Sequence, residues 1–336
     1  MIEPIMPPVV ARFNHVIAFD VAKESLAVHI LPSGESLEAP NTLANAARLL
    51  RREQKRNAKH SLGPLLVVCE ATGGYENNVL EAAWELGLAC HRAHGTDVRA
   101  YARFRGLRAK NDPIDAFLIA GYGRDKPDPR LYQPPRPEQT ALREFMGRRA
   151  ELQDMIEAER ARLDHTSVKA VRRSLEQHLK MLDKELAVIE KEIEALTCGD
   201  EQFGHRARLM QTVTGVGEVT ARTLLAFMPE LGAIKGATAA ALAGLAPFDR
   251  DSGKQRGRRC IFAGRSQVRN CLFMAARTAI RHHDVFKTFA ERIMKRGKPY
   301  LVAVTAVMRK LIVILNAMLK ADEPWKHAKA ACSATR

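Results

Sequence analysis

Residues 15–31 read HVIAFDVAKESLAVHIL and residues 64–70 read PLLVVCE, and these two stretches decide the fold of the first third of the chain. In the first, two β-rich runs flank a short polar turn, a pattern typical of a β-hairpin. The second is a continuous apolar run that ends in a carboxylate, as a buried central strand does. A turn, a helical stretch at 76–87 and a short strand, LACHRA, follow it. This order of strand, helix and strand predicts an α/β domain with a partly parallel sheet.

The rest of the chain reads as mostly helical. Residues 125–137 hold five prolines and predict the exit linker of the first domain. Apolar residues then recur at alternating spacings of four and three from Leu175 to Leu196, a heptad pattern over three repeats. This pattern predicts a central coiled-coil hairpin of two antiparallel helices, whose seam packs internally or joins two subunits. We predict three domains, at residues 12–130, 131–204 and 205–325, of which the last is mainly α-helical.

The charge of the chain points to an anionic partner. There are 53 Lys and Arg against 38 Asp and Glu, a net charge of +15. Nucleic acid is the first candidate, an anionic membrane surface is the second, and a merely basic protein is the third reading. The N-terminus lacks the pattern of a signal peptide and no run approaches 18 apolar residues, so we expect a cytoplasmic protein without a membrane span.

The six cysteines are scattered and form no C-x-x-C pair. We therefore expect buried free thiols in a reducing compartment, with neither a disulfide framework nor a zinc site. No G-x-x-x-x-G-K-[ST] segment is present, so nothing in the sequence indicates ATP use.

Four acidic residues stand where metal ligands are expected. Asp20 lies in the first strand run, Glu70 closes the second, and Asp112 and Asp115 are three residues apart at a predicted helix start, so that they share one face. Gathered carboxylates repel one another unless a cation neutralises them. Oxygen ligands favour Mg²⁺, with Mn²⁺ possible, over zinc. Two such ions can activate an attacking oxygen and stabilise a leaving oxygen in phosphoryl transfer.

Each acidic residue also has a plain structural reading. Asp112 can be only an N-cap, and Asp115 only a first-turn acid that the helix dipole favours. The four together, in this order and in a very basic chain, favour the metal site.

A serine lies in the most basic region of the chain. Ser252 stands in PFDRDSGKQRGRRCIFAGR at residues 247–265, and residues 249–310 hold 16 Lys and Arg against 4 Asp and Glu. Arginine suits bidentate contact with phosphate. The Ser252 hydroxyl is therefore a candidate nucleophile for a phosphodiester. A serine in a solvated phosphate-binding loop is the alternative, and Ser266 is a weaker candidate nucleophile.

A Gly-Val-Gly turn between two predicted helices resembles a helix-hairpin-helix element. Its glycines allow backbone N–H groups to approach a phosphate, although an αα-hairpin turn without a ligand is the alternative. The residues predicted to bind nucleic acid are Lys110, Gly215, Gly217, Arg250, Lys254, Arg256, Arg258, Arg259 and Arg265.

Six segments together resemble the DEDD insertion-sequence transposases, the family of Piv-like and bridge-RNA-guided recombinases. They are IAFDVAKESLAVHI, VVCEATGGYENNVL, AKNDPIDAFLIA, TVTGVGEVTARTLLAFMPELG, LAGLAPFDRDSGKQRGRR and GRSQVRNCLFMAA. The resemblance is collinear and covers nearly the whole chain.

The resemblance implies an RNase H-like (RuvC-like) N-terminal domain with Asp20, Glu70, Asp112 and Asp115 as metal ligands and catalytic residues. It also implies a C-terminal transposase domain in which Ser252 becomes linked to DNA. The resemblance further implies that strands exchange through a four-way junction and that a structured RNA pairs with donor and target DNA. The two halves of an active site can come from different subunits, so we expect homodimers that pair into tetramers.

Two other functions fit the same residues. A RuvC-like nuclease for Holliday junctions would use the same carboxylates with a metal-activated water and without Ser252. A non-catalytic nucleic-acid-binding protein would use only the basic residues, but carboxylates at strand ends would then repel phosphate.

Overall fold

A computed structural model describes residues 13–106, 112–248 and 260–325, except for the side chains of 112–114, 248 and 260. The chain divides into two compact units, Met1–Pro134 and Pro135–Arg336. The boundary falls within the proline-rich stretch at 125–137.

The first unit is built on a five-stranded mixed sheet. Its elements, in order, are β1 (His15–Val21), β2 (Ser25–Leu31), β3 (Glu35–Pro40), α1 (Leu43–His60), β4 (Leu65–Glu70), α2 (Asn77–Glu85), β5 (Ala89–Ala93), α3 (Gly95–Phe104) and α4 (Asp112–Asp125). The strand order is β3-β2-β1-β4-β5. β1, β2 and β3 pair antiparallel, whereas β4 pairs parallel to β1 and β5 parallel to β4. The predicted α/β domain with a partly parallel sheet is thus confirmed, and it is consistent with an RNase H-like domain.

The two faces of the sheet bury alternate residues of each strand. On one face Ile17 and Phe19 of β1 pack with Val67 of β4 and with residues of α1 and α2. On the other face Val16 and Val68 pack with residues of α3 and α4. Because successive side chains of a strand point to opposite faces, helices on both sides explain why β1 and β4 are apolar almost throughout.

A glycine lets α4 lie close to the centre of the sheet. A Cβ added at Gly123 would lie 2.5 Å from Val68 Cγ2 and 3.5 Å from Val16 Cγ1. Six residues earlier in α4, the Phe117 ring meets the His29 ring edge-on, with centroids 5.2 Å apart. These two contacts fix both the distance and the direction of α4 on the sheet.

The second unit is almost entirely helical. Its elements, in order, are α5 (Pro137–His165), α6 (Lys169–Gly199), α7 (Glu201–Gln211), α8 (Glu218–Phe227), α9 (Gly236–Leu242), β6 (Pro247–Phe248), β7 (Cys260–Ile261), α10 (Ser266–His282), α11 (Asp284–Lys295) and α12 (Tyr300–Ala321). The two short strands pair antiparallel on either side of the segment 249–259. The unit as a whole is consistent with the predicted, mainly α-helical C-terminal region.

The two long helices, α5 and α6, form an antiparallel hairpin within one chain. Leu152 and Ile156 of α5 are buried against Leu182 of α6, and Arg149 of α5 binds the Glu190 carboxylate of α6 at 3.0 Å. The heptad residues therefore face a partner helix of the same chain. Two further statements stay predictions: that the two helices supercoil around each other, and that the heptad seam also joins two subunits.

Helix α12 is an apolar helix of the second unit. It is long and apolar enough to cross a membrane by length and composition, although no such segment was expected. Leu311, Ile312 and Leu315 of α12 are completely buried in the core of the second unit. Burial of this kind is typical of the central helix of a folded domain, and it accounts for the composition without a membrane.

The cysteine prediction is confirmed in part. Cys69 and Cys90 are buried free thiols, Cys271 is half-buried, and Cys198 is exposed, which contradicts the expectation of burial at that position. Cys260 and Cys332 fall where side chains are not described.

The close approach of α4 to the sheet yields a stability test. Gly123→Ala places a methyl group against Val68. Overpacking of this kind costs about 1–3 kcal/mol, and the better helix propensity of alanine returns about 1 kcal/mol, so we expect a net loss of up to about 2 kcal/mol. Urea denaturation followed by circular dichroism measures the loss. The control is Gly147→Ala in α5, where an added Cβ meets nothing within 4 Å, and which should be neutral or stabilising. Equal stability of the two variants would refute this docking of α4.

Candidate functional site

Two acidic residues lie side by side at one edge of the sheet. In the parallel pair β1 and β4, Phe19 is opposite Cys69, so Asp20 and Glu70 are the next residues of the two neighbouring strands. Adjacent strands are about 4.8 Å apart. By alternation, both side chains belong to the sheet face that α3 and α4 cover. Both residues are half-buried.

The start of α4 lies at the same edge of the sheet. His29, which contacts Phe117, is opposite Ala18 of β1, whereas Gly123 lies at the level of Val16. α4 therefore runs antiparallel to β1, with its first turn toward the carboxyl end of that strand. From Gly123 back to Asp115 the helix rises about 12 Å. From Val16 to Asp20 the strand rises about 13 Å. Asp115 is therefore level with Asp20.

The first turn of α3 receives the Glu70 carboxylate. A Cβ at Gly95, the first residue of α3, would collide with Glu70 Oε1, and it would lie 3.4 Å from Arg99 Nη1. The missing side chain at Gly95 thus makes room for the carboxylate, and a guanidinium group stands beside it. A helix N-terminus also favours a negative charge there.

A buried glutamate anchors the turn that follows Glu70. Glu76 Oε2 accepts hydrogen bonds from Thr72 N (3.1 Å), Thr72 Oγ1 (3.0 Å) and Gly74 N (2.8 Å). The Arg92 guanidinium forms an ion pair with Glu76 Oε1. Burial alone would raise the pKa of Glu76, but the hydrogen bonds and Arg92 outweigh it and hold this pKa below its ordinary value. Glu76 therefore acts as an ionised anchor for the edge of the sheet.

Asn41 joins two loops at the same edge. Its side-chain amide donates to Ala22 O at 2.8 Å and to Tyr75 O at 3.0 Å, and its Oδ1 accepts from Asn78 Nδ2 at 3.0 Å. Ala22 follows the strand that bears Asp20, and Tyr75 lies in the turn after Glu70. This residue thus ties together the two strand ends that carry the acidic pair.

The placement of the acidic residues fits a hard cation, but their side chains are not drawn together. Within the described part of the chain, no group of three or more His, Cys, Asp or Glu side chains is arranged to hold a metal ion. The backbone of Asp112 begins α4, and its side chain lies outside the described residues. The structure thus brings Asp20, Glu70 and Asp115 to one level of the same sheet edge, and all the available donors are oxygen atoms, as Mg²⁺ prefers.

Most of the predicted basic site lies outside the described residues. This applies to Ser252, to the cations around it in the sequence, and separately to Lys110 of the first unit. The cations around Ser252 are Arg250, Lys254, Arg256, Arg258 and Arg259. Ser266 begins α10 and is exposed, with its hydroxyl 3.2 Å from Gln267 Oε1.

Three predicted nucleic-acid contacts can be located in the second unit. Gly217 is exposed at the N-cap of α8, and an added Cβ would meet nothing there. Gly215 has φ +94°, and a Cβ on it would strike Ala275 O of α10, so its conformation serves the packing of two helices. The Arg265 guanidinium donates to Phe227 O and Glu230 Oε1, both at 2.6 Å. Phosphate contact therefore has most room at Gly217.

The sequence analysis missed three residues that shape this edge: Glu76, Gly95 and Arg99. Their signals were present but weak. Glu76 follows a Gly-Gly turn after a strand, and Gly95 follows the strand LACHRA, where parallel strand ends are expected to meet. Nothing in the local pattern indicated that a glycine at a helix start would face the side chain of Glu70.

Family profiles match both units of the chain. A profile of DEDD transposases of the IS110 type, described as a transposase, matches residues 17–168. A profile of the transposase IS116/IS110/IS902 family matches residues 207–291. The chain is also similar to the pilin gene-inverting proteins of Moraxella bovis and Moraxella lacunata. Each is 27% identical over 270 residues, which make up 79% of this chain and 83% of the relative.

The ionised state of Glu76 predicts a pH dependence of stability. A carboxyl group whose pKa is lowered by folding stabilises the fold above its ordinary pKa of 4.5, and this contribution is lost as the pH falls through the lower, folded value. Glu76→Gln removes the charge and leaves Arg92 and the loop donors poorly paired, at a cost of about 1–3 kcal/mol at pH 7. Urea denaturation between pH 7 and pH 3 should show the difference from the parent chain shrinking below about pH 4.5. A difference independent of pH would contradict the ionised anchor.

The contact between Gly95 and Glu70 predicts an effect on metal affinity. Gly95→Ala displaces the Glu70 carboxylate, and changes next to a metal ligand typically cost 10–100-fold in affinity. We expect Mn²⁺ binding, followed by electron paramagnetic resonance, to weaken about tenfold. Gly147→Ala controls for the effect of a glycine-to-alanine change in a helix and should leave the affinity unaltered. Unchanged Mn²⁺ affinity in Gly95→Ala would show that this contact does not support a metal ligand.

Proposed function

Because the chain belongs to the DEDD family of insertion-sequence transposases, we propose that it recombines DNA through a covalent phosphoserine intermediate, with Mg²⁺ held by its acidic residues. The observation that carries the proposal is the arrangement of Asp20, Glu70 and Asp115. They lie on two adjacent parallel strand ends and on the first turn of a facing helix. The +15 charge of the chain supports a nucleic-acid substrate.

Asp20, Glu70, Asp112 and Asp115 would hold the ion, with Mn²⁺ as a possible replacement. Bound there, the ion would neutralise charge that develops on a phosphodiester and on the oxygen atoms that enter and leave. The four side chains would orient the cation at the sheet edge. Asn41 and Glu76 keep the two strand ends in place through the contacts described above.

Ser252 would supply the attacking oxygen. Its hydroxyl loses a proton to a base and forms an O–P bond, while the bond between phosphorus and one sugar oxygen breaks and that oxygen takes up a proton. A sugar hydroxyl of another strand then attacks the phosphoserine and releases the serine. Ester bonds are exchanged one for one, so no external energy source is required. Arg250, Lys254, Arg256, Arg258 and Arg259 follow or flank the serine in the sequence and suit phosphate contact.

The names of the two Moraxella relatives support DNA inversion or a related rearrangement as the outcome. Pilin gene-inverting proteins, at 27% identity, are named for the inversion of a gene. We propose that this chain likewise exchanges strands between donor and target DNA, in the cytoplasm. A structured guide RNA would provide specificity through base pairing, and homodimers or tetramers would bring two DNA duplexes together.

The experiment that tests this proposal is a search for protein-linked DNA. The full-length chain is produced together with the DNA that flanks its gene, and the products are separated in denaturing detergent. Ser252→Ala should abolish the linked species, which is a loss of at least about a hundredfold given the size of nucleophile effects. It should leave nucleic-acid binding within twofold. Ser266→Ala is the matched control and should keep the adduct.

Each other outcome identifies a rival function. An adduct that survives Ser252→Ala refutes the serine nucleophile. Free phosphate ends without linked protein, formed by the parent chain in the presence of Mg²⁺, indicate a junction nuclease that uses water. Binding without any cleavage indicates a non-catalytic nucleic-acid-binding protein. Recombination that continues undiminished in EDTA refutes the metal.

A further inference from the structure

The solvent-exposed side of α3 carries two arginines and, on the adjoining flank with Asp97, an exposed aromatic ring. Phe104 is 84% exposed, more than any other exposed large hydrophobic residue of the described chain, and the next most exposed aromatic residue of the same unit, Trp84, is 53% exposed. Arg99 and Arg103 are exposed on the same side of the helix. We call Arg99, Arg103 and Phe104 the α3 stripe.

The position of the stripe follows from the way α3 packs. Val98 is buried and Tyr101 is half-buried against α4. Residues 99 and 103 are one turn apart, about 6 Å along the helix axis, and they point away from the packed face. Leaving an aromatic side chain in water forfeits the burial energy that such side chains normally gain. An exposed phenylalanine that directly follows Arg103 is therefore a feature to explain.

The arginines of the stripe have no acidic partner among the described residues. Arg103 Nε donates only to the backbone, at Arg99 O (3.4 Å). In contrast, the nearby Arg124 binds Asp125 at 2.9 Å, and Arg105 lies over the Tyr101 ring. Arg103 thus keeps its guanidinium group available for an external anion, whereas Arg99 lies where it can contact a phosphate next to the Glu70 carboxylate.

The stripe begins at the carboxylate edge of the sheet. Arg99 Nη1 lies 3.4 Å from the Cβ position of Gly95, which the Glu70 carboxylate also reaches. From Gly95 to Phe104 the helix rises about 14 Å. A strand with one phosphate at the carboxylate edge therefore has its neighbouring nucleotides within reach of the stripe.

We propose that the α3 stripe binds an unpaired segment of the DNA strand whose phosphodiester is held at the carboxylate edge. Arg99 and Arg103 contact phosphates, and Phe104 stacks on a base. Guanidinium groups match phosphate oxygens, and an aromatic ring stacks on any base that is not paired. A paired base in a duplex offers no free face, so the ring selects for unpaired nucleotides. The inference rests on the proposed function for its choice of DNA over RNA.

The test is equilibrium binding of the full-length chain to three fluorescein-labelled probes of equal length: oligothymidine, oligouridine and a DNA duplex. Phe104→Ala should weaken binding of oligothymidine about tenfold and change duplex binding less than twofold. Arg103→Gln should lower the slope of log affinity against log salt by about 0.7 for oligothymidine, the value for one phosphate contact with a single strand. Phe104→Leu keeps an apolar side chain but should not restore binding.

The matched controls are Trp84→Ala on α2 and Arg51→Gln on α1, both exposed in the same unit. Neither should alter oligothymidine binding. Three results would overturn the stripe. Phe104→Ala could leave oligothymidine affinity unchanged, it could lower the affinity for oligothymidine and duplex equally, or Trp84→Ala could lower oligothymidine affinity as much as Phe104→Ala does. A loss confined to oligouridine would overturn the assignment to DNA. The stripe and the proposed function can fail separately. If the parent chain forms the serine-linked adduct but Phe104→Ala binds oligothymidine normally, the stripe alone is refuted. If Phe104→Ala weakens oligothymidine binding but the parent chain forms no adduct, only the proposed function is refuted.

Discussion

The parallel pairing of β1 with β4 is the constraint on which the candidate site depends. It places Asp20 beside Glu70 at the carboxyl ends of two buried strands, where two like charges repel unless something compensates them. Backbone hydrogen bonds and two apolar faces hold the strands, so the backbones of Asp20 and Glu70 stay adjacent as long as the sheet is intact. Glu76 and Asn41 add local ties to the loops that leave these strands. The fold thus keeps two carboxylate-bearing residues next to each other, and their oxygen atoms are the donors that a small divalent cation prefers.

A second constraint is the direction of α4. Gly123 allows the helix to approach the sheet, and the contact of Phe117 with His29 sets its direction. The first turn of α4 therefore arrives at the level of Asp20 and Glu70, and with it Asp115. α3 reaches the same edge from the end of β5, with Gly95 against Glu70. Four separate segments, β1, β4, α3 and α4, thus converge on one place, and packing rather than sequence proximity brings them there.

The sequence was informative where one kind of residue dominates a segment. The apolar runs ending in Asp20 and Glu70 predicted two strands and their acidic ends, and the heptad spacing from Leu175 predicted the face on which α6 packs. The strand β3, with its mostly exposed polar residues, and the helices α1 and α3 were not predicted, since short or charged amphipathic segments carry weak patterns. Contacts such as that of Gly95 with Glu70 depend on tertiary packing, and the local periodicity of a sequence carries no information about such contacts. The burial of α12 likewise depends on its neighbours, which its composition alone does not identify.

Anomalous X-ray diffraction from crystals of the full-length chain soaked in Mn²⁺ tests the central claim most directly. The account predicts a manganese peak at the carboxyl ends of β1 and β4, with carboxylate oxygens of Asp20, Glu70 and Asp115 at about 2 Å, the distance that small divalent cations require. A manganese peak bound elsewhere, or an edge that stays free of metal while the three side chains point in different directions, would contradict it.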